Sequence, residues 1–482
     1  MSGITRPGAP ALKTIPTLQA ISPVDGRYRR DTEPLAEFFS ESGLIRNRVR
    51  VEVEYLIALS DAGITGRRFT DEEKTYLRYL YSPMTVEEAN IVKQIEVRGY
   101  EHIKATNHDV KAVEYYLREK MKGTSLSDSL QWVHFGLTSM DTDNIAYALM
   151  LRDGIEKVIL PKLEKLVEVL DALAEQHADL PMLARTHGQP ATPTTFGKEF
   201  RVFAERLERQ LEQLRDFRLL VKMNGASGND NARVGALPNV SWLEISADFV
   251  NSLNDPKGRI SLLLNPITTQ IEPHDTYAEL FANFRRINTI LTNFAQDAWR
   301  YISDSWIVQK AVEGEVGSST MPNKVNPIKF ENAEGSLGLA NAFFEFFERK
   351  LPISRLQRDL SDSTVIRYIG EAFAISLQGY SSLLGGLERI SVNESKVRQE
   401  LASHPEVLAE LYQTVLRREG VQDAYELLKD LTRKGEGRGT TMEELREFVN
   451  GLNLPEHVKR ELLSWTPEKY TGIAGEIAGT KS

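Results

Sequence analysis

The chain has 482 residues, of which 41% are hydrophobic and 26% charged, and its formal net charge is −9. These proportions are ordinary for a globular protein, and the length predicts about three domains. The acidic balance argues against a nucleic-acid surface spread over the whole protein, and the absence of cysteine excludes disulfides, thiol catalysis and cysteine-based zinc sites.

The chain carries no run of about 18 apolar residues, so no membrane-spanning segment is expected. Residues 1–20 lack the apolar core of a signal peptide, and we interpret them as a flexible leader. A transit peptide is a weaker alternative, because the stretch is short and only mildly basic. The expected location is the cytoplasm.

The first polar features are a turn-rich segment, Ser22-Pro23-Val24-Asp25-Gly26-Arg27-Tyr28, and a cluster, Thr106-Asn107-His108-Asp109. Helical patterns over residues 44–59 and 85–113 surround the cluster, which interrupts the second of them. A lone histidine there would more often be structural than catalytic. Its polar neighbours favour a functional role.

Thr138 and Ser139 precede Asp141 and an apolar run from Ile145 to Leu151, which predicts the N-terminus of a helix. Free N–H groups at such an end bind anions well. Simple N-capping accounts for one of these polar residues but not for the whole patch.

Three long segments, residues 155–174, 200–220 and 277–302, place apolar residues at steps of three and four. Runs of this length predict an elongated helical bundle. Almost no segment alternates with a period of two, so the predicted class is all-α.

Polar segments punctuate these helices, including Arg185-Thr186-His187-Gly188-Gln189, residues 225–231, residues 268–275 and an arginine-rich run over 355–367. Acids such as Asp362 could simply pair with the arginines of the last run in a solvated surface network. The residues alone leave that interpretation and a binding role equally open.

The segment Gly317-Ser318-Ser319-Thr320-Met321-Pro322-Asn323-Lys324-Val325-Asn326-Pro327 combines paired hydroxyls, a cation and two prolines. The prolines disfavour a regular helix or central strand, so we predict a polar loop of the kind that covers a substrate. An ordinary Ser-, Asn- and Pro-rich surface turn is the plain alternative.

Several catalytic motifs are missing from the chain: H-E-x-x-H, G-x-x-x-x-G-K-[ST], and G-x-G-x-x-G after a strand. Support is therefore lacking for metal hydrolysis, redox chemistry and P-loop phosphoryl transfer. We expect no metal and no other cofactor, and we interpret the polar residues as groups for proton transfer on an anionic substrate.

The pattern S-S-x-M-P-x-K-x-N-P over residues 318–327 resembles the signature loop of the fumarase/aspartase superfamily. The patches at Thr138-Ser139 and at residues 185–189 resemble the same superfamily. That resemblance implies anti β-elimination of fumarate from a succinyl-bearing substrate. It also implies a three-domain helical fold with a central long-helix bundle, and a homotetramer whose core is formed by the bundles of four subunits. Each active site would be shared among three subunits.

By the same resemblance, Ser318 is the general base, His187 is the general acid and Glu331 orients His187. A serine must be activated by its surroundings to act as a base. Negative charge would build up on the substrate carboxylate as the proton leaves, and Lys324, Asn326 and loop N–H groups would stabilise it.

Four strings, residues 22–28, 106–112, 269–275 and 358–367, resemble the adenylosuccinate lyase branch, which implies adenylosuccinate and SAICAR as small-molecule substrates. Residues 466–472 resemble the tail of this branch. The resemblance assigns the phosphate and ribose to Arg27, Tyr28, Arg358, Ser363 and Arg367. It assigns the succinyl group and base to Asn107, His108, Thr138, Ser139, Gln270, Lys324 and Asn326. Asp109, Thr186, Asn332 and Thr364 complete the predicted substrate-binding set.

The predicted division of the chain is a leader (1–20), an N-terminal helical domain (21–127), a central long-helix domain (128–387) and a C-terminal helical domain (388–482).

Three alternative functions are open: a sister lyase acting on argininosuccinate, malate or aspartate; a catalytically silent helical scaffold; and a nucleic-acid-binding helical protein. The arginine run argues against small substrates such as malate. The intact Ser318, His187, Lys324 and Glu331 argue against the silent scaffold, and the acidic balance argues against the third alternative.

Overall fold

The computed structural model describes residues 17–310, 321, 324–432 and 440–480. The predicted leader lies outside this range except for its last four residues, and so do Ser318 and most of its loop. In the described part, the chain is mainly helical with six short strands, which confirms the all-α prediction. None of the described helices combines the length and the apolar character that crossing a membrane requires.

The helices before residue 180 are α1 (Arg29–Thr32), α2 (Ala36–Phe39), α3 (Glu41–Asp61), α4 (Asp71–Tyr79), α5 (Val86–Val97), α6 (Asp109–Met121), α7 (Ser139–Gly154) and α8 (Leu160–Gln176). A π-helical turn at Ile155–Ile159 joins the last two. The helices of the middle of the chain are α9 (Phe196–Glu212), α10 (Asn231–Ala236), α11 (Trp242–Ser252), α12 (Asp275–Ser303) and α13 (Ile328–Lys350). The remaining helices are α14 (Ser361–Ile366), α15 (Ile369–Leu387), α16 (Glu394–Ala402), α17 (Ala409–Arg418), α18 (Ala424–Thr432), α19 (Met442–Gly451), α20 (Glu456–Leu463) and α21 (Ala474–Gly479).

The strands pair two by two. They are β1 (Pro181–Thr186) with β2 (Gln189–Thr195), β3 (Phe217–Val221) with β4 (Ile260–Leu264), and β5 (Ile307–Gln309) with β6 (Ile390–Val392). The first and third pairs are antiparallel and the second is parallel.

One predicted helix is wrong in its last part, because α9 ends at Glu212 and residues 217–221 form β3. Leu219 and Val221 are both buried, which is the period-two pattern of a strand. Five residues are too few for this alternation to stand out against the helical spacing that precedes it. The segments predicted over 155–174 and 277–302 are helical.

The described chain forms two compact units. Unit 1 comprises the described residues up to Leu163 with Gln210–Thr289 and Gly335–Ser381, and unit 2 comprises Glu164–Arg209, the described residues of Ile290–Glu334, and those from Ser382 onward. All five boundaries fall inside helices. Each unit is made of several separate stretches of chain, whereas the three predicted domains are continuous in sequence. The predicted domains stay a prediction.

Each unit has an aromatic or aliphatic core of its own. In unit 1, α12, α13 and α15 bring phenylalanine rings together, with Phe284 edge-on to Phe373 at 4.9 Å and Phe281 stacked on Phe344 at 5.6 Å. In unit 2, apolar residues from Leu408, just before α17, to Leu462 on α20 form a separate cluster.

Candidate active site

A cavity of about 190 Å³ in unit 1 collects predicted substrate-binding residues that are far apart in sequence. Those that line it are His108, Asp109, Ser139, Arg358, Ser363 and Arg367. They lie at the N-termini of α6 and α7, and before, within and just after α14. Residues from separate predicted segments therefore meet in one cavity.

His108 sits at the N-terminus of α6, where its Nδ1 accepts a hydrogen bond from the Lys111 N–H at 3.3 Å. In the neutral imidazole, the proton must then lie on Nε2. That atom is 3.3 Å from the hydroxyl oxygen of Ser139, the first residue of α7. The predicted helix start at Thr138 and Ser139 is confirmed, and the contact joins the N-termini of two helices across the cavity.

Arg48 is a cavity residue that the sequence analysis missed. Its buried guanidinium donates to Asp109 Oδ2 at 2.7 Å and to Asp143 Oδ1 at 2.6 Å. Asp109 Oδ2 also forms an ion pair with Arg367 Nη2, at 3.4 Å. Burial alone would raise the pKa of the Asp109 carboxyl, but Arg48 and the Val110 N–H together hold it below its usual value. An arginine on the apolar face of α3 is the signal that could have identified it.

The side-chain amide of Gln270 links Arg358 to the backbone of Ala226. Arg358 Nη1 donates to Gln270 Oε1 at 3.2 Å, and Gln270 Nε2 in turn donates to the Ala226 carbonyl at 3.0 Å. In the arginine-rich run, Arg355 does pair with Asp359, at 3.0 Å, as the surface-network alternative requires. Arg358 and Arg367 instead bond to groups outside the run, which favours a binding role for these two.

A buried ion pair fixes the start of α7. Lys222 Nζ, at the end of β3, donates to Asp141 Oδ1 at 2.5 Å and to the Gly225 carbonyl at 2.9 Å, and both side chains of the pair are fully buried. Burial lowers the pKa of Lys222, although Asp141 acts to raise it. The other oxygen of Asp141 accepts from the Thr138 N–H at 2.9 Å. Through Asp141 and Lys222, the backbone before α7 is therefore connected to the loop that contains Gly225 and Ala226.

In unit 2, His187 and Gly188 form the two-residue turn between β1 and β2, with φ values of 51° and 76°. Positive φ at both positions is the turn geometry that suits a tight hairpin. Thr186 pairs with Gln189 across the turn, and Arg185 bonds to Glu400 at 2.7 Å. The His187 side chain is exposed at the tip. The predicted general acid is therefore presented on a short, well-anchored turn.

Glu331 lies in the first turn of α13, and its Oε1 accepts from Trp299 Nε1 at 3.1 Å. Among the described residues, no hydrogen bond joins Glu331 to His187, so the predicted pairing is not made within one chain and stays a prediction. Lys324 and Asn326 precede α13, and Asn332 is exposed beside Glu331. Ser318 lies outside the described residues.

The other predicted residues do not line the cavity of unit 1. They are Arg27, Tyr28, Asn107, Thr138, Gln270 and Thr364. Arg27 and Thr364 are exposed, and Tyr28 immediately precedes α1. Their predicted substrate contacts stay predictions.

Comparison with protein families matches residues 26–340 to a family described as lyase, and residues 354–471 to one described as the adenylosuccinate lyase C-terminal family. Among curated proteins, adenylosuccinate lyase of Legionella pneumophila (strain Corby) is 46% identical over 467 residues, which are 96% of this chain and 99% of that protein. The enzyme of Escherichia coli (strain K12) with the same name is 45% identical, covering 95% of this chain and 97% of that protein.

Two solved structures support the fold. A fumarate lyase from Mesorhizobium sp. BNC1 matches with a TM-score of 0.72 at 21% identity, covering 92% of this chain and 96% of that one. The 3-carboxy-cis,cis-muconate lactonizing enzyme from Pseudomonas putida matches with a TM-score of 0.68 at 21% identity, covering 92% and 94%. With a fumarase/aspartase-type fold and close relatives over nearly its whole length, the chain is a lyase that belongs to the adenylosuccinate lyase family.

Proposed function

We propose that this lyase eliminates fumarate from adenylosuccinate to give AMP, and from SAICAR to give AICAR, in purine nucleotide biosynthesis. The observation that carries the proposal is the cavity of unit 1, where Arg358, Arg367 and Ser363 lie together with His108 and Ser139. Two guanidinium groups and a hydroxyl suit a phosphate dianion, and relatives named adenylosuccinate lyase cover nearly the whole chain.

The proposed reaction needs no cofactor. Ser318 removes the proton from the carbon beside a succinyl carboxylate, and that electron pair forms the carbon–carbon double bond of fumarate. The carbon–nitrogen bond breaks, and His187 gives its proton to the departing nitrogen. Lys324 and Asn326 stabilise the negative charge that develops on the carboxylate before the bond breaks.

The position of His187 supports its role as the acid. It stands at the tip of the β1–β2 turn with its ring exposed, so an incoming substrate can reach it. Because Glu331 and His187 are not bonded within one chain, we propose that Glu331 orients the imidazole in the assembled enzyme, where more than one subunit contributes to a site.

The proposed assembly is a homotetramer with each active site shared among three subunits, located in the cytoplasm. Large apolar side chains on the long helices support association: Val202 on α9, Trp299 on α12, and Leu339 and Phe346 on α13 are each 41–54% exposed in the single chain. Exposed apolar surface of this kind marks protein–protein contacts.

The test is ultraviolet absorbance of the purified protein mixed with adenylosuccinate, followed by identification of the products. We expect AMP and fumarate from the wild type and none from Ser318→Ala, because the alanine cannot take the proton. Ser319→Ala is the matched control: it changes the neighbouring serine of the same loop and should keep most of the turnover.

Three results would contradict parts of the proposal. Fumarate from argininosuccinate or malate, but not from adenylosuccinate, would move the chain to a sister branch. Full activity of Ser318→Ala would remove Ser318 as the base. No turnover of any of these substrates by the wild type would favour the catalytically silent scaffold.

A further inference from the structure

Three side chains that line the cavity of unit 1 carry buried polar atoms with no hydrogen-bond partner in the described part of the chain. These atoms are both ring nitrogens of His274, Oδ1 of Asp362 and Nε of Arg358. His274 is 1% exposed and Asp362 is 3% exposed, so bulk water does not reach them freely. Buried polar atoms in folded proteins are nearly always hydrogen-bonded. Several unpartnered ones around a single cavity indicate that its ligand supplies the partners.

The His274 side chain presents an uncharged ring to the cavity. Burial holds the pKa of its imidazole down to about 4, although Asp362 and Asp275 act to raise it. The Leu351 backbone also acts to raise this pKa, and Tyr277 packs edge-on at 5.0 Å. A neutral imidazole has one N–H donor and one bare nitrogen acceptor. The cavity therefore contains two acceptors in need of donors: the bare nitrogen of His274 and the Asp362 carboxylate oxygen.

A nucleotide-bearing substrate must offer hydrogen-bond donors to these two acceptors. Phosphate and succinyl carboxylate oxygens are acceptors, and they would be repelled by the Asp362 carboxylate. The single N–H of a substituted purine amine could satisfy only one of the two acceptors. The neighbouring 2′- and 3′-hydroxyls of a ribose supply two O–H donors, and their oxygens can accept the Arg358 Nε–H. Asp362 also directly precedes Ser363, one of the predicted phosphate and ribose residues.

We propose that His274 and Asp362 recognise the two ribose hydroxyls of the substrate and thereby select ribonucleotides over deoxyribonucleotides. This inference rests on the proposed function and adds to it a specificity for the sugar. Both residues lie in polar strings of the sequence, residues 268–275 and the arginine-rich run, where Asp362 was considered only as a possible ion-pair partner of the arginines.

The test measures the affinities of AMP, 2′-deoxy-AMP and 3′-deoxy-AMP for the full-length enzyme by calorimetry. We expect the wild type to bind each deoxynucleotide at least about tenfold more weakly than AMP, because each lacks one donor to a buried acceptor. His274→Phe keeps an aromatic ring that can pack against Tyr277 but removes both nitrogens. Asp362→Ala removes the carboxylate. Each variant should lose the discrimination against one of the two deoxynucleotides.

His177→Phe is the matched control, because it replaces a buried histidine of unit 2 that does not line this cavity. It should keep the wild-type affinity ratios. Equal binding of all three nucleotides by the wild type would overturn the proposal. So would wild-type ratios in both variants, or an equal loss of affinity for all three nucleotides, since the side chains would then hold water or shape the cavity.

Failure of the proposed function would show differently. It would appear as an absence of fumarate release from adenylosuccinate by the wild type, whichever nucleotides the cavity binds. The binding ratios do not depend on turnover, so the two proposals can fail separately.

Discussion

The burial of His274 ties the stability of the fold to pH. Its pKa is about 4 in the folded chain against an ordinary value of 6.5. Above pH 6.5, the imidazole is neutral in both the folded and the unfolded chain. Between pH 6.5 and 4, the unfolded chain binds a proton that the folded chain does not, so stability is lost as the pH falls through this window.

We expect His274→Phe to lack this loss. Relative to the wild type, the variant should gain about 2 kcal/mol in free energy of unfolding between pH 7.5 and pH 4.5. The measurement is urea unfolding of both proteins at the two pH values and one protein concentration. Comparing the change with pH, rather than the stability at one pH, removes any constant effect of the new side chain. Parallel pH dependence of the two proteins would contradict the prediction.

At the scale of elements, the β1–β2 turn offers a way to separate positioning of His187 from stability. Gly188 has φ +76° and Gly63, in the loop after α3, has φ +74°, and an added Cβ at either position would meet no atom within 4 Å. Alanine at each position should therefore cost a similar free energy of unfolding, about 1 kcal/mol, from backbone strain alone.

Only Gly188→Ala should lower the rate of fumarate release, because strain in this turn shifts the neighbouring imidazole. Gly63→Ala should keep the wild-type rate. Thermal unfolding and product formation, measured on the same preparations, check both halves of the prediction. A wild-type rate for Gly188→Ala with its expected loss of stability would mean that the turn does not set the position of a catalytic group.

Some helices and strands could be predicted from the sequence and others could not. The long helices α8 and α12 and the start of α7 follow from spacing and capping, because these signals are local. Strand β3 could not be predicted, since its pairing with β4 joins residues more than 40 positions apart. Its two buried residues, Leu219 and Val221, follow the apolar residues of α9 in the sequence, and no glycine or proline lies between α9 and β3 to mark the change from helix to strand.

The same distinction applies to the cavity. His108, Ser139 and Arg367 lie in recognisable strings, so their place in a site could be predicted. Arg48 shows in the sequence only as an arginine on the apolar face of α3, because what makes it part of the cavity is the fold that brings Asp109 and Asp143 around its guanidinium. His274 stood in a recognisable string, but its role depends on burial without partners, and burial is a property of the three-dimensional packing alone.

At the scale of the whole molecule, shared active sites would make activity depend on mixing subunits. Ser318→Ala and His187→Gln each remove one of the two proposed proton-transfer groups, so each pure variant should be inactive. If the base and the acid of a site come from different subunits, tetramers assembled at random from equal amounts of the two variants contain some sites with both groups intact. About a quarter of the wild-type activity should return.

A second mixture sharpens this prediction. Wild type is reassembled with equal amounts of the double variant Ser318→Ala/His187→Gln, and activity is measured per total protein. Sites that draw the two groups from different subunits again retain about a quarter of the wild-type activity, whereas sites that draw both from one subunit retain about half. The measurement is fumarate release after denaturation and joint refolding, with tetramer formation checked by light scattering. No recovered activity in the first mixture, together with half the activity in the second, would place Ser318 and His187 of each site on the same chain. The exposed apolar side chains of α9, α12 and α13 would then require association without sharing of these two groups.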